Sequence, residues 1–244
     1  AKRLRALNLG SFQEYCDLLA RPEGNDEQPH LLSALTTNVT HFFREVHHFE
    51  YLRDTIAPIL IAKAKNGHAV RLWSSACSTG QEAYSMAAAL VAADPAVHQH
   101  DIKVLATDID LKVIKIAREG VYPSEQIAAI PAQWQSRLTA SVPAGCGEIA
   151  MDDRLKSLIS FGELNLVDAW PMQRKFDVIF CRNAAIYFDK TTQARLWQRF
   201  ASTLADDGYL MIGHSERLSG PSQGAFKNIG ITTYQLQHNE GDKK

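Results

Sequence analysis

No run of apolar residues in this chain approaches the length needed to cross a bilayer, and its start lacks the charged-then-apolar order of a signal peptide. The expected location is the cytoplasm. Cysteines are few: Cys16, Cys77, Cys146 and Cys181 stand far apart, without the paired spacing of a zinc site or a disulfide framework. That suits a reducing compartment. An excess of one charge is missing too, since the net charge is −1 over 244 residues, so no overall field draws the chain to nucleic acid or anionic membrane. The three cations among Ala1 to Arg5 read as a solvated helix end. His41, His47 and His48 lie near one another but offer no third ligand at a metal spacing, so they read as surface or loop residues and no metal is expected. No Ser-His-Asp or Cys-His pairing stands out, and there are no internal repeats.

What is present suits a globular enzyme-sized domain: hydrophobic residues make up 45% and charged ones 22%, enough to bury a sizeable core. Residues 1 to about 65 have helical periodicity and are interrupted by the loop Arg21 to Asp26. From Val70 the texture changes. Strand candidates Val70–Ser74, Ile102–Thr107, Phe176–Cys181 and Tyr209–Gly213 alternate with helix candidates near 81–93, 110–118 and 190–205, which implies an α/β fold with a mostly parallel sheet covered on both faces. Two apolar pieces, 148–151 and 158–161, flank Asp152-Asp153-Arg154 and predict a short inserted hairpin. The segment 226–236 reads as a final strand or hairpin.

The chain is organised around Val70 to Met86, an apolar run that breaks at Ser74-Ser75-Ala76-Cys77-Ser78-Thr79-Gly80 and becomes an alanine-rich helix. Small residues in such a loop let a ligand approach the backbone, and the free N–H groups of the following helix point at the same place. One glycine is too few for the G-x-G-x-x-G of a dinucleotide site, which disfavours a nicotinamide-dependent oxidoreductase. A nucleoside ligand without phosphates, such as S-adenosylmethionine, fits better. Glu82 would pair with its α-ammonium group, or else only complement the helix dipole. Asp108, delivered by the second strand to the carboxyl edge of the sheet, is suited to accept ribose hydroxyls, and Asp110 to cap the next helix.

Three further segments carry candidate chemistry. In 35–45, Asn38 and Thr40 offer hydrogen bonds and Arg44 a fixed cation for a carboxylate, while Phe42 and Phe43 would anchor the segment. After the Phe176–Cys181 strand, Arg182 and Asn183 face the crevice by topology. Tyr187 follows, and could equally be a core aromatic. Asn165 could read an adenine edge.

Taken together, the blocks Thr-Thr-Asn-Val-Thr-His-Phe-Phe-Arg-Glu, Ser-Thr-Gly-Gln-Glu-Ala-Tyr-Ser, Ala-Thr-Asp-Ile-Asp, Leu-Asn-Leu-Val-Asp, Cys-Arg-Asn-Ala-Ala-Ile-Tyr-Phe-Asp-Lys and Gly-His-Ser-Glu resemble, in order over about residues 31–218, the chemotaxis receptor methyltransferases of the CheR family. The resemblance implies a class I S-adenosylmethionine-dependent methyltransferase fold, Rossmann-like, with a seven-stranded mostly parallel sheet, an N-terminal helical part over 1–65, and a methyltransferase domain over 66–244 with a small β-subdomain inserted at about 145–162. It implies transfer of a methyl group to glutamate side chains of methyl-accepting chemoreceptors, leaving S-adenosylhomocysteine. Donor-binding positions fall on Asn38, Thr40, Arg44, Glu82, Asp108, Asn165, Leu166, Arg182 and Asn183. Arg44 and Tyr187 stand near the transferred methyl. In some members the β-subdomain grips a receptor C-terminal pentapeptide. Gln81-Glu82-Ala83 and Ala184-Ala185 depart from the family's usual residues, and the helical part looks truncated, which would weaken acceptor recognition. The competing reading is a non-catalytic module that senses S-adenosylmethionine.

Overall fold

The computed structural model of the chain describes residues 2–139 and 147–237; Cys146 and the start of the expected insertion lie outside them. Helical segments at Lys2–Ala6, Phe12–Leu19, Gln28–Leu35, His47–Tyr51 and Ala57–Lys65 precede the first strand. The basic start does more than meet solvent, because Arg3 makes a two-pronged contact of 2.7 and 2.6 Å with the buried Glu27, which also accepts from the Tyr15 hydroxyl.

Beyond them, among the described residues, seven strands form one sheet. These are β1 (Val70–Ser74), β2 (Ile102–Asp108), β5 (Ile159–Glu163), β6 (Phe176–Cys181), β7 (Leu204–Ile212), β8 (Phe226–Gly230) and β9 (Thr233–Leu236). They are arranged β5-β2-β1-β6-β7-β9-β8, with the first five parallel and β9 antiparallel to its neighbours on both sides. From β1 the chain builds outward through β2 to β5, then crosses back to β6 and continues to the other edge. That reversal leaves a crevice at the carboxyl ends of β1 and β6.

Side-chain alternation divides the core between the two faces of the sheet. Val70, Leu72, Val104, Ala106, Val178 and Phe180 pack against the 47–65 helical run and the Gln81–Ala93 helix. Trp73, Ile179, Cys181, Leu210 and Ile212 face the Lys190–Thr203 helix through Leu196, Trp197 and Phe200. All six residues of β6 are buried, as a central strand covered on both faces requires. Gly80, with φ 97°, forms the left-handed entry to the Gln81–Ala93 helix; a Cβ there would lie 2.8 Å from both Ala117 Cβ and the Tyr122 hydroxyl.

The expected hairpin over 148–161 is not formed. Asp153–Leu158 is instead a helix whose N-cap Asp152 accepts from the Arg154 N–H, with Leu155 and Leu158 buried. The second piece is β5, parallel to β2 from Val104↔Ile159 to Asp108↔Glu163. The first, β4 (Glu148–Ala150), pairs backwards with β3 (Val121–Pro123) in a separate two-stranded sheet. Each piece finds its partner upstream in the chain, which local periodicity cannot reveal. Helices Ser124–Ala128 and Ala132–Leu138 lie between β3 and β4.

Candidate active site

Loops after β5, β2, β1 and β6 meet the 35–44 segment around a cavity of about 340 Å³. Asn38, Thr40, Arg44, Glu82, Asp108, Asn165, Leu166, Arg182, Asn183 and Tyr187 all line it, so the structure brings the residues read as donor-binding or near the transferred methyl to one place. Leu32, Leu35, Val39, Ile109 and Leu164 add an apolar lining.

The floor holds two buried carboxylates. Asp108 ends β2, and its oxygens accept from the Ser78 N–H at 2.8 Å and the Asp110 N–H at 3.1 Å. Burial nevertheless raises its pKa. A carboxylate oxygen has more than one acceptor direction, so Asp108 retains capacity for hydroxyls in the cavity. Glu82, in the first turn of its helix, accepts from the Ser74 hydroxyl at 2.7 Å and from Arg182 Nη1 at 3.1 Å. Burial raises its pKa against the pull of Arg182.

Arg182 is itself buried. Its Nη2 donates to the Arg44 carbonyl and lies 3.3 Å from Glu45 Oε2, and the guanidinium lies over the Phe49 ring at 5.4 Å. The arginine read as a ligand neighbour therefore lines the cavity mainly as a support between two acids. Its Nε is buried and meets no acceptor among the described residues. For Glu45, burial pushes the pKa up, but the His214 hydrogen bond and Arg182 outweigh it and hold the group at about 2.

The wall carrying Asn38 and Arg44 is fastened at both ends. Asp110 caps the Leu111–Glu119 helix through the Lys112 N–H, and its other oxygen accepts from Asn38 Nδ2 at 3.0 Å and Thr36 Oγ1 at 3.4 Å. Ser78 Oγ donates to the Asn38 carbonyl at 3.1 Å. Farther along, Phe43 stacks on Trp134 at 4.5 Å and Phe42 meets Tyr122 edge-on at 5.0 Å. Arg44 Nη1 donates to the Val39 carbonyl at 3.1 Å. On the opposite wall Tyr187 belongs to the short turn Ala185–Tyr187 and is 62% exposed, so it is not a core aromatic. Asn165 Oδ1 accepts from the Val167 N–H at 3.0 Å.

The histidine reading needs correcting. His41 is exposed, but His48 is fully buried, with Nε2 at 3.1 Å from the Ile231 carbonyl, and His47 is half-buried. Burial, then the charge of Arg182, lowers the His48 pKa to about 3. Glu45 supplies the third metal-capable group that was not foreseen, one atom each from Glu45, His47 and His48 lying within 4.8 Å. The Arg182 guanidinium already pairs with that carboxylate. Sequence reasoning also missed the parts played by Ser78 and Glu216; for Glu216 the signal was its place in the Gly-His-Ser-Glu block.

Residues 38–235 match the family described as CheR methyltransferase, SAM binding domain. The chain belongs to the CheR methyltransferase family. It is 50% identical over 239 residues to the "Probable chemotaxis protein methyltransferase" of Rhizobium etli, covering 96% of this chain and 88% of that protein. It is 41% identical to "Chemotaxis protein methyltransferase 2" of Pseudomonas aeruginosa (96% and 81% covered) and 39% identical to the "Chemotaxis protein methyltransferase" of Escherichia coli (96% and 80%). As a CheR methyltransferase the chain is an S-adenosylmethionine-dependent enzyme of chemotaxis, and nothing in these matches supports the sensing-module alternative. The cavity fits the donor: two buried acids stand where hydroxyl and ammonium groups can meet them, and apolar side chains line much of the rest. Among the described residues no helix is long and apolar enough to cross a membrane.

Proposed function

We propose that this CheR methyltransferase esterifies glutamate side chains of methyl-accepting chemoreceptors, with Arg44 and Tyr187 at the transfer point. The observation that carries the reading is the convergence of Arg44, Glu82, Asp108 and Tyr187, from four separate segments, on one cavity that is deep at the acids and open at Tyr187. S-adenosylmethionine, when bound, supplies a methyl group on a sulfonium. Asp108 accepts the ribose hydroxyls, Glu82 pairs with the α-ammonium group, and Asn165 and Leu166 border the adenine. Asn38, Thr40, Arg182 and Asn183 complete the enclosure.

The protein is not required to remove a proton. A glutamate carboxylate, with a pKa of about 4.3, is already ionised near neutrality, so a general base would add nothing. What the residues contribute is alignment and exclusion of water. Arg44 orients a carboxylate at the wall, and the exposed Tyr187 hydroxyl holds the acceptor's second oxygen or lies against the sulfonium. The apolar Leu35 and Val39, both exposed beside the cavity, shield the acceptor from solvent.

The finer expectation, that a small β-subdomain inserted at about 145–162 grips a receptor C-terminal pentapeptide, is supported by the family resemblance alone; of that stretch, Glu148–Ala150 pairs with Val121–Pro123. Titrating that pentapeptide against the protein tests it, and absence of binding removes it. The main reading is tested by incubating the protein with chemoreceptor-containing membranes and labelled S-adenosylmethionine. Label in the receptor supports it. Binding of the donor with no label transferred to any receptor tried contradicts it.

A further inference from the structure

The Gly-His-Ser-Glu block has no side chain in the cavity, yet it touches both walls. Glu216, buried three residues beyond Gly213, accepts four backbone N–H groups. Oε2 takes Gly213 at 2.6 Å and Asn183 at 3.1 Å, while Oε1 takes Ala184 at 3.0 Å and Ala185 at 2.8 Å. Its own N–H returns to the Gly213 carbonyl at 2.9 Å, closing a tight turn. A carboxylate ringed by amides is a strong acceptor site, and here it fixes the turn in which Asn183 adopts φ 58°, outside the usual range for a side-chain-bearing residue. Tyr187 follows two residues after the last of these amides.

The same turn reaches the other wall. The His214 N–H and Nδ1 lie 3.3 and 2.9 Å from Glu45 Oε1. Glu45 follows Arg44 directly and pairs with Arg182, whose guanidinium donates to the Arg44 carbonyl. Gly213 leaves room for this convergence, because a Cβ there would lie 2.7 Å from Asn183 Nδ2 and 2.9 Å from Glu216 Oε2.

We propose that the Gly213–Glu216 turn is a positioning element that sets the separation of the two cavity walls, Glu216 acting through the 183–187 turn and His214 through Glu45 and Arg44. This rests on the reading above that Arg44 and Tyr187 flank the reacting groups. Neither Glu216 nor His214 lines the cavity. Their effect is on alignment, so it falls on turnover more than on donor affinity.

The test compares Glu216→Gln and His214→Ala with the wild type by backbone hydrogen exchange with S-adenosylhomocysteine bound, by donor KM, and by kcat on receptor membranes. In Glu216→Gln the amides of Asn183 to Ala185 exchange faster while those of β6 do not change. kcat falls by about 100-fold, the scale of a 1 Å misplacement, with little change in donor KM. In His214→Ala, which alters an exposed ring and leaves the fold intact, faster exchange appears at Arg44 and Glu45 and kcat also falls. Unchanged exchange at these segments, or full kcat beside an active wild type, overturns the proposal. If Glu216→Gln does not fold, His214→Ala decides it by the same two readouts. A wild type that never methylates receptors overturns the functional reading instead, and the exchange results still judge the turn.

Discussion

Replacing Arg182 with methionine would keep much of the buried volume and remove the charge that stands between Glu82 and Glu45. The guanidinium is almost wholly enclosed and lies 3.1 Å from one carboxylate and 3.3 Å from the other. Removing one partner of a buried ion pair costs about 3–5 kcal/mol, because the charge left behind has neither water nor counter-ion. At roughly 2–4 °C per kcal/mol for a chain of this size, the Tm should fall by about 6–20 °C near pH 7.5. The pH dependence identifies the cause. Glu82 already has a raised pKa in the folded protein, so the fold binds its proton more tightly than the unfolded chain does, and stability falls as pH rises past the unfolded value. Without Arg182 that pKa rises further, and the deficit against wild type shrinks on acidification as Glu82 becomes neutral. His48 adds to the same trend, since Arg182 helps to hold its pKa down and its loss lets the ring protonate more readily. Urea unfolding of both proteins at about pH 7.5 and about pH 5 measures this. A second change, Glu82→Gln in the Arg182→Met background, should recover part of the loss. A deficit under about 1 kcal/mol near pH 7.5, or one equal at both pH values, would refute the assignment of Arg182 as the counter-charge of a buried acid.

Other perturbations follow from the same geometry. Tyr187→Phe changes an exposed hydroxyl, so stability should stay within about 0.5 kcal/mol while kcat falls and affinity for S-adenosylhomocysteine holds; full turnover would remove Tyr187 from the reaction. Asp108→Asn should weaken S-adenosylhomocysteine binding in calorimetry by tenfold or more, from about 1.5–3 kcal/mol for hydrogen bonds to a charged group, and unaltered affinity would contradict the ribose contact. Phe43→Ala empties the space beside Trp134 and should cost about 3–5 kcal/mol in denaturant unfolding. For His48, a pKa lowered from 6.5 to about 3 means that stability present above pH 6.5 is lost as pH falls, about 1.4 kcal/mol per unit down to the folded value. His48→Asn should flatten that slope, and an identical acid profile would show that the ring titrates normally.

The parts of the fold that sequence made legible are those in which local pattern and topology agree. β1, its glycine-entered helix, β2 with its terminal Asp108, and β6 with Arg182 are apolar runs whose polar ends the doubly wound topology carries to one edge. Once the parallel sheet is inferred, these residues have nowhere else to go. The 148–161 region was misread because Asp152, a helix cap, looks like a turn residue out of context, and because β4 and β5 pair with β3 and β2 rather than with each other. Burial of His48 was hidden in the same way: what encloses it includes Ile231, 183 residues away. Glu216 was visible only as one letter of a motif. Its role depends on four amides converging from two loops, and only the folded chain reveals that.

The most direct measurement is the chemistry of the product. Receptor labelled by this protein with radioactive methyl from S-adenosylmethionine is treated with mild base, and the volatile label is collected. The account predicts release as methanol, with the modified peptides mapping to receptor glutamates, as a carboxyl methyl ester requires. Label that stays on the receptor after base would mean that the methyl group went to another kind of atom, and would contradict the central claim.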